Sequence, residues 1–404
     1  MNLLTVTHFF ESHRGGIEIV AGRLARELAR AGMNVVWAAT DASPPPDVAD
    51  EPRLSTIALS ASNVAERAIG IPYPVPAPRS LLRIWREAQA ADAVLVHDGL
   101  YLTSIAACLA ARRKGRPVVV VQHIGAVPYK NPVLRSLMAL ANRLIARPIL
   151  ARADKTVFIS ESTARYFAGL PYRQPPELVF NGVDTAIFSP PQDADEVAET
   201  RRYCGLPRDR VVALFAGRFV EKKGLAVLER VARARPDMVF AFAGWGPLDP
   251  RAWKLANVQV FDQLAGASLA KLYRASDVLV LPSTGEGFPL VIQEALACGL
   301  PIVCGAETTT ADPTAAQLLT GIEIDTADPD RTAQLCAAAL TACVQRQSTV
   351  ALRSARATLA AERYSWSRAA ARYADILKRL HVQRGRLPDS KAAPERLRSL
   401  HEGG

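Results

Sequence analysis

The chain has 404 residues, a formal charge of +10, 49% hydrophobic and 22% charged residues, so it exceeds one ordinary core and suits two globular α/β domains. No apolar run approaches the length needed to cross a bilayer, and residues 1–7 lack a basic region leading into an apolar core, so no signal peptide is expected. The six cysteines are scattered without C-x-x-C pairs or nearby histidines, which points away from a disulfide frame or zinc site and toward the cytoplasm.

Short apolar runs alternate with longer helical patterns, the order that makes parallel sheets. In the first half the predicted strands are 3–7, 35–39, 93–97, 118–122 and 156–159. After the first comes Arg14-Gly15-Gly16-Ile17-Glu18, then a helix over 17–31 with Ile17, Val20, Leu24, Leu28 and Ala31 on one face and Gly32 closing it. Gly15 and Gly16 let the backbone approach a ligand and leave N–H groups at the helix start; the same pair also serves as turn chemistry. Neither this stretch nor Gly244-Trp245-Gly246-Pro247 is a G-x-G-x-x-G dinucleotide fingerprint. Proline-rich loops are predicted over 42–50 and 71–78. His97 with Asp98, and His123, end strands at the carboxyl edge, where ligands gather in open parallel sheets.

Between Gly99 and Ala153 there is no acid, while Arg112, Arg113, Lys114, Arg116, Lys130, Arg135, Arg143, Arg147 and Arg152 all fall there. Such a run suits a solvated helix surface or an anionic membrane surface, where each cation contributes about 1 kcal/mol. Leu134, Leu137, Met138, Leu144, Ile145 and Ile149 share a helical face that suits a core as well as a lipid contact, and Pro148 should kink or restart the helix. Peripheral contact through the 112–152 segment is expected. Nucleic acid is not, because stacking aromatics are not interleaved with the cations.

Asn181-Gly182-Val183-Asp184 is a turn signal followed by a polar stretch, which sets the expected division: an N-terminal domain over 1–184 and a C-terminal domain over 185–364. A helix over 365–381 then crosses back to the first domain, and 382–404 forms a polar, disordered tail. Predicted strands of the second domain are 211–216, 238–243, 258–261, 277–281 and 301–304. The fold class is α/β, two Rossmann-like domains facing a central cleft. Arg218 lies just beyond the first of these strands and Lys223 at the next helix start. A cation there opposes the helix dipole unless a phosphate is bound, the alternative being a surface pair with Glu221.

The stretch 283–302 carries two carboxylates, Glu286 and Glu294, around a helix start. Pro289 suits the first helical position, leaving the N–H groups of Leu290 and Val291 free for phosphate. Eight residues span at most about 12 Å if helical, comparable with the reach from a ribose to a sugar across a folded diphosphate. A nucleotide sugar fits that arrangement.

This region resembles the E-x7-E segment of the family 4 retaining glycosyltransferases of GT-B fold. Gly15-Gly16-Ile17-Glu18, Asn181 to Asp184, Gly217-Arg218 with Lys223-Gly224, Gly244 to Pro247, and Leu272 to Asp277 extend the resemblance over most of 1–380. It implies that Gly15, Gly16, Arg218, Lys223, Leu290 and Val291 hold the donor diphosphate. It further implies that Glu294 binds the ribose, Gln263 and Leu264 pack the base, Gly287 and Phe288 orient the sugar, and His123 and Glu286 serve catalysis. A UDP- or GDP-sugar donor, retention of configuration and an acceptor hydroxyl follow, with no cofactor and no metal expected; the acid-free basic segment makes a lipid-linked glycan or polysaccharide the expected acceptor. Asp193-Ala194-Asp195 and Asp328-Pro329-Asp330 read as surface turns. One departure stands out: where the family has a Gly-Gly-x-Pro-Glu loop, this chain has Gly305-Ala306-Glu307-Thr308-Thr309-Thr310. It motivates the alternative of an inactive partner protein that binds donor without transfer.

Overall fold

Strands buried on both faces need helices on both sides, and their residues read as continuous apolar runs. Val118–Gln122, with every residue buried, is such a run. In the computed structural model, which describes residues 1–69, 72–125, 131–347 and 349–385, these runs assemble into two wholly parallel sheets.

The first sheet contains β1 (Asn2–Val6), β2 (Asn34–Thr40), β3 (Leu54–Leu59), then, beyond the small antiparallel ribbon of β4 (Ala61–Ser62) and β5 (Val75–Pro76), β6 (Ala93–His97), β7 (Val118–Gln122), β8 (Lys155–Phe158) and β9 (Glu177–Leu178). Its order is β3-β2-β1-β6-β7-β8-β9. The second has β10 (Val212–Arg218), β11 (Val239–Trp245), β12 (Val258–Phe261), β13 (Val278–Leu281), β14 (Ile302–Gly305) and β15 (Thr320–Ile322), ordered β12-β11-β10-β13-β14-β15. In each sheet the strand order reverses once, between β1 and β6 and between β10 and β13. Ligands of open α/β sheets bind outside the carboxyl ends at that reversal.

Three edge strands escape the sequence reading. β3 alternates buried and exposed residues, β9 has only two residues and β15 only three, so none shows the apolar run of a central strand. Helix ends shift as well. The first helix is Gly16–Arg30, and Pro289 caps the Leu290–Ala297 helix instead of being its first residue. The helix expected over 365–381 runs from Trp366 to Gly385, so the start of the predicted polar tail is helical. The remainder of that tail and Lys130 lie outside the described residues.

In the basic segment, Pro132–Ala141 passes through a π-helical turn, Asn142–Ala146, into Arg147–Arg152. A π turn accommodates the missing N–H of Pro148 without ending the helix.

Two apolar clusters cover the faces of the first sheet, and one larger cluster serves the second. Ala370, Tyr373, Leu377 and Leu380 of Trp366–Gly385 belong to the first sheet's core, beside Leu24 and Leu28 of Gly16–Arg30. The two units also meet directly. Glu161 N donates to Ala311 O at 2.8 Å, and Ser162 Oγ donates to Gly287 O at 3.3 Å.

Candidate functional site

At the carboxyl end of β10, Arg218 lies with its guanidinium 4.7 Å from the Trp245 ring centroid. Its Nε is buried and has no hydrogen-bond partner among the described residues. The chain then makes a 3-10 turn, Glu221–Lys223, and enters the Leu225–Ala234 helix through Gly224 at φ 75°. Only glycine fits there, because a Cβ would lie 2.2 Å from Pro282 O. Lys223 stands immediately before the capping residue, at the helix start expected from the sequence. Thr284 N donates to Lys222 O at 3.0 Å, stitching this turn to the loop after β13.

That stitch brings Glu286 between two lysines, with Oε1 3.1 Å from Lys223 Nζ and 3.4 Å from Lys222 Nζ. Burial opposes ionisation of Glu286, but the two lysines outweigh it and hold its pKa below the ordinary value. Burial depresses Lys223 in turn, against the pull of Glu286. The lysines thus pair with a carboxylate from the neighbouring strand loop, a distant contact that spacing from Glu221 does not suggest.

The Leu290–Ala297 helix starts without a side-chain cap, so the N–H groups of Leu290 and Val291 keep their capacity for an anion. One turn on, Glu294 Oε2 accepts from Tyr273 OH at 2.8 Å. Burial pushes Glu294 up to about 7, with Tyr273 and the charge of Arg23 pulling down. Arg23 belongs to the first unit, on Gly16–Arg30, so the ends of both sheets share one electrostatic field.

Gly287 lies against the other unit: a Cβ there would meet His123 O at 2.4 Å. Phe288 behaves differently from its expected sugar-orienting role. Its ring is buried against Phe180 and Tyr364, with centroids 5.9 and 5.4 Å away, so only its main chain is available to a ligand. Glu307, in the departing loop, approaches Gly285 N at 3.5 Å and braces the Glu286 loop. Gln263 is exposed at φ 57°, while Leu264 packs on the second core.

Facing this group, Gly15 caps the first helix of the other unit; a Cβ there would meet Glu18 Oε2 at 2.1 Å, whereas Gly16 has open space. Glu18 is buried, with Oε1 2.9 Å from His8 Nε2. Burial opposes its charge, but His8 and its own main chain keep its pKa low. His123 is buried with its ring Nε2 2.9 Å from His97 Nδ1, and its main-chain N–H donates to Asp98 Oδ1 at 2.9 Å. Burial holds His97 down to about 3 and His123 well below the usual value, and raises Asp98 to about 7. Both imidazoles are neutral at physiological pH.

Glu66 links the two sets. It bonds His13 Nε2 at 2.9 Å; burial raises its pKa, but Asn63, His13 and the facing Arg218 bring it down overall. Glu18, Glu66, Arg23, Tyr273 and Glu307 carry no role in the sequence expectations. Glu18 adjoins the paired glycines, Tyr273 lies in the Leu272 to Asp277 landmark and Glu307 in the departing loop; Glu66 and Arg23 are brought in by folding alone.

Residues 14–187 match the family model Glycosyltransferase Family 4, and residues 210–342 match Glycosyl transferases group 1. A D-inositol 3-phosphate glycosyltransferase of Xylanimonas cellulosilytica is 30% identical over 90% of this chain and 91% of its own. The chain belongs to the family 4 glycosyltransferases. Another such relative, from Catenulispora acidiphila, is 32% identical over 80% of this chain and 81% of its own. Sucrose-phosphate synthase of Thermosynechococcus elongatus shares the fold of this glycosyltransferase at a TM-score of 0.73 and 18% identity, covering 95% of this chain and all of that one. HepE of Anabaena, solved with UDP-glucose, does so at 0.70 and 16%, covering 94% and 100%. The family's two-domain GT-B architecture is the one described here.

Proposed function

We propose that this glycosyltransferase is a retaining, metal-independent hexosyltransferase that moves a sugar from a UDP- or GDP-sugar to a hydroxyl of a lipid-linked glycan or polysaccharide. The observation that carries the reading is the Lys222–Lys223–Glu286 cluster beside Arg218, at the strand-order reversal of the second sheet and against His123 of the first.

Breaking the bond between the sugar carbon and the phosphate oxygen sends an electron pair to the diphosphate. Arg218, Lys223 and the N–H groups of Leu290 and Val291 are preplaced for that charge, the type of electrostatic help that usually dominates. Gly15 and Gly16 contribute backbone from the facing unit. Glu294 receives the ribose hydroxyls in exchange for Tyr273, Gln263 and Leu264 flank the base, and the main chain of Gly287 and Phe288 borders the sugar. Glu286 is screened by its lysines until a diphosphate draws them away; its carboxylate then faces the sugar as positive character grows. The acceptor oxygen bonds the sugar carbon from the leaving-group face, and its proton passes to a phosphate oxygen of the departing nucleotide. No protein nucleophile is needed, and neutral His123 hydrogen-bonds the sugar.

The lysines and Arg218 supply the positive charge that a divalent ion gives other transferases. The test is product formation from UDP-, GDP- and ADP-sugars with and without EDTA, with the anomeric linkage read by NMR. A retained linkage unaffected by chelation is expected; inversion or a metal requirement overturns those parts of the reading. D-inositol 3-phosphate, the acceptor in the relatives' names, is run beside glycan acceptors. Donor binding without transfer or hydrolysis would favour the inactive-partner reading.

A further inference from the structure

Pro132–Ala141 has no buried residue. Val133, Leu137, Leu140 and Leu144 are 75, 59, 51 and 62% exposed, and their spacing of four, three and four puts them on one helical line. The face expected from the sequence divides accordingly: Leu134, Met138, Ile145 and Ile149 are half-buried, Ile149 packing on the first sheet's core, while this second line stays open. Beside it runs a groove of about 510 Å³, lined among others by Cys108, Leu109, Leu144 and Ile149, with Arg112 and Arg152. Arg112 Nη1 donates to Arg152 O at 3.1 Å and Arg152 Nη1 to Pro148 O at 3.4 Å, so main-chain carbonyls steer both guanidiniums. Neither has a carboxylate partner among the described residues.

We propose that this face docks on an anionic lipid bilayer, with the aliphatic line entering the interface and Arg112, Arg152 and their basic neighbours meeting lipid phosphates. Charge selects the occupant. In a two-fold contact between copies the patch meets itself, and with no acid between Gly99 and Ala153 it would set cations against cations. The exposed line is aliphatic, without the aromatic anchors typical of protein hot spots or the stacking rings of nucleic-acid binders. Aliphatic side chains flanked by arginines fit the boundary between acyl chains and anionic headgroups.

The docked helix is joined to the transfer site. Asn142, in the π turn, donates to Gly125 O at 3.4 Å, two residues beyond His123. A Cβ on Gly99, beside Asp98, would lie 3.2 Å from Ile149 Cγ2. Bilayer contact thus presents the acceptor-side loops to the membrane surface. This concerns binding and holds whatever the donor proves to be.

The test is flotation of the full chain with phosphatidylcholine vesicles, with and without phosphatidylglycerol, at low and high salt. Wild type should float with anionic vesicles only, and less at high salt. Leu137→Asp with Leu140→Asp, both solvent-exposed, should reduce recovery at least about tenfold without changing melting temperature or turnover of a soluble acceptor. Arg112→Ala with Arg152→Ala should weaken the anionic preference and its salt sensitivity. Equal recovery from both vesicle types, flotation of the leucine variant like wild type, or a dimer in solution that this variant disperses would each overturn the proposal.

Discussion

Gly287 approaches His123 so closely that one added methyl would lie 2.4 Å from the His123 carbonyl oxygen. The loop bearing Glu286 thereby touches the β7 terminus, and the neighbouring Ser162 Oγ bond to Gly287 O at 3.3 Å holds the same seam. A close backbone approach is a common reason for glycine in such a loop. Gly287→Ala is expected to push the two units apart. Transfer should fall by about 100-fold, in line with a displacement near 1 Å at reacting groups. Each sheet's core is untouched, so the melting temperature should change little; unaltered kcat would contradict the seam's role.

Lys223 and Glu286 form a second test. Lys223→Ala leaves the buried carboxylate with Lys222 alone, at 3.4 Å, and removing one partner of a buried polar pair costs about 1–3 kcal/mol. Adding Glu286→Gln should restore most of that stability and none of the activity. Urea unfolding of the four proteins reads the coupling; strictly additive losses would show that the pair does not act as one unit.

Glu294 titrates near 7, above the ordinary carboxylate, so the folded chain binds a proton that the unfolded chain has released. Its contribution to stability is present below the ordinary carboxylate pKa and is lost as pH rises toward 7. Glu294→Gln should therefore lose less stability than wild type between pH 5 and 8. Donor binding runs the other way. Two ribose hydroxyls need the ionised carboxylate, so affinity should rise about tenfold per unit as pH approaches 7, then level off. In the Gln variant the profile should be flat, as calorimetry would show; an unchanged slope would place the titration elsewhere.

Glu307 braces Gly285 N in the loop that departs from the family pattern. Glu307→Gln keeps the acceptor oxygen and should preserve activity, while Glu307→Ala should raise KM for the donor several-fold. The ratio of the two variants' KM values is the readout, and equal values would mean that the loop stands without Glu307.

Much of this architecture is legible in the sequence because central parallel strands carry apolar runs: β1, β6, β7, β10, β11 and β13 all announce themselves. β3 and β15 do not, since an edge strand shows water one face or is too short to show a period. At the candidate site, the positions of Arg218, Glu286 and His123 at or after strand ends and of Glu294 inside a helix are legible in the sequence. Their partners are not. Tyr273 reaches Glu294 across 21 positions, and Glu66 senses Arg218 from the other unit; such pairings arise from packing, which no local spacing encodes. Phe288 is a different case: its ring completes an aromatic core with Phe180 and Tyr364, a packing role that its motif position does not reveal.

The central claim is that Arg218 meets the donor diphosphate as charge develops on it. Steady-state kinetics of Arg218→Ala with the preferred nucleotide sugar tests it most directly. Removal of one such donor group should lower kcat/KM by about 100- to 1,000-fold, with the melting temperature of the free protein essentially kept. A variant that transfers sugar as fast as the wild type would contradict the account.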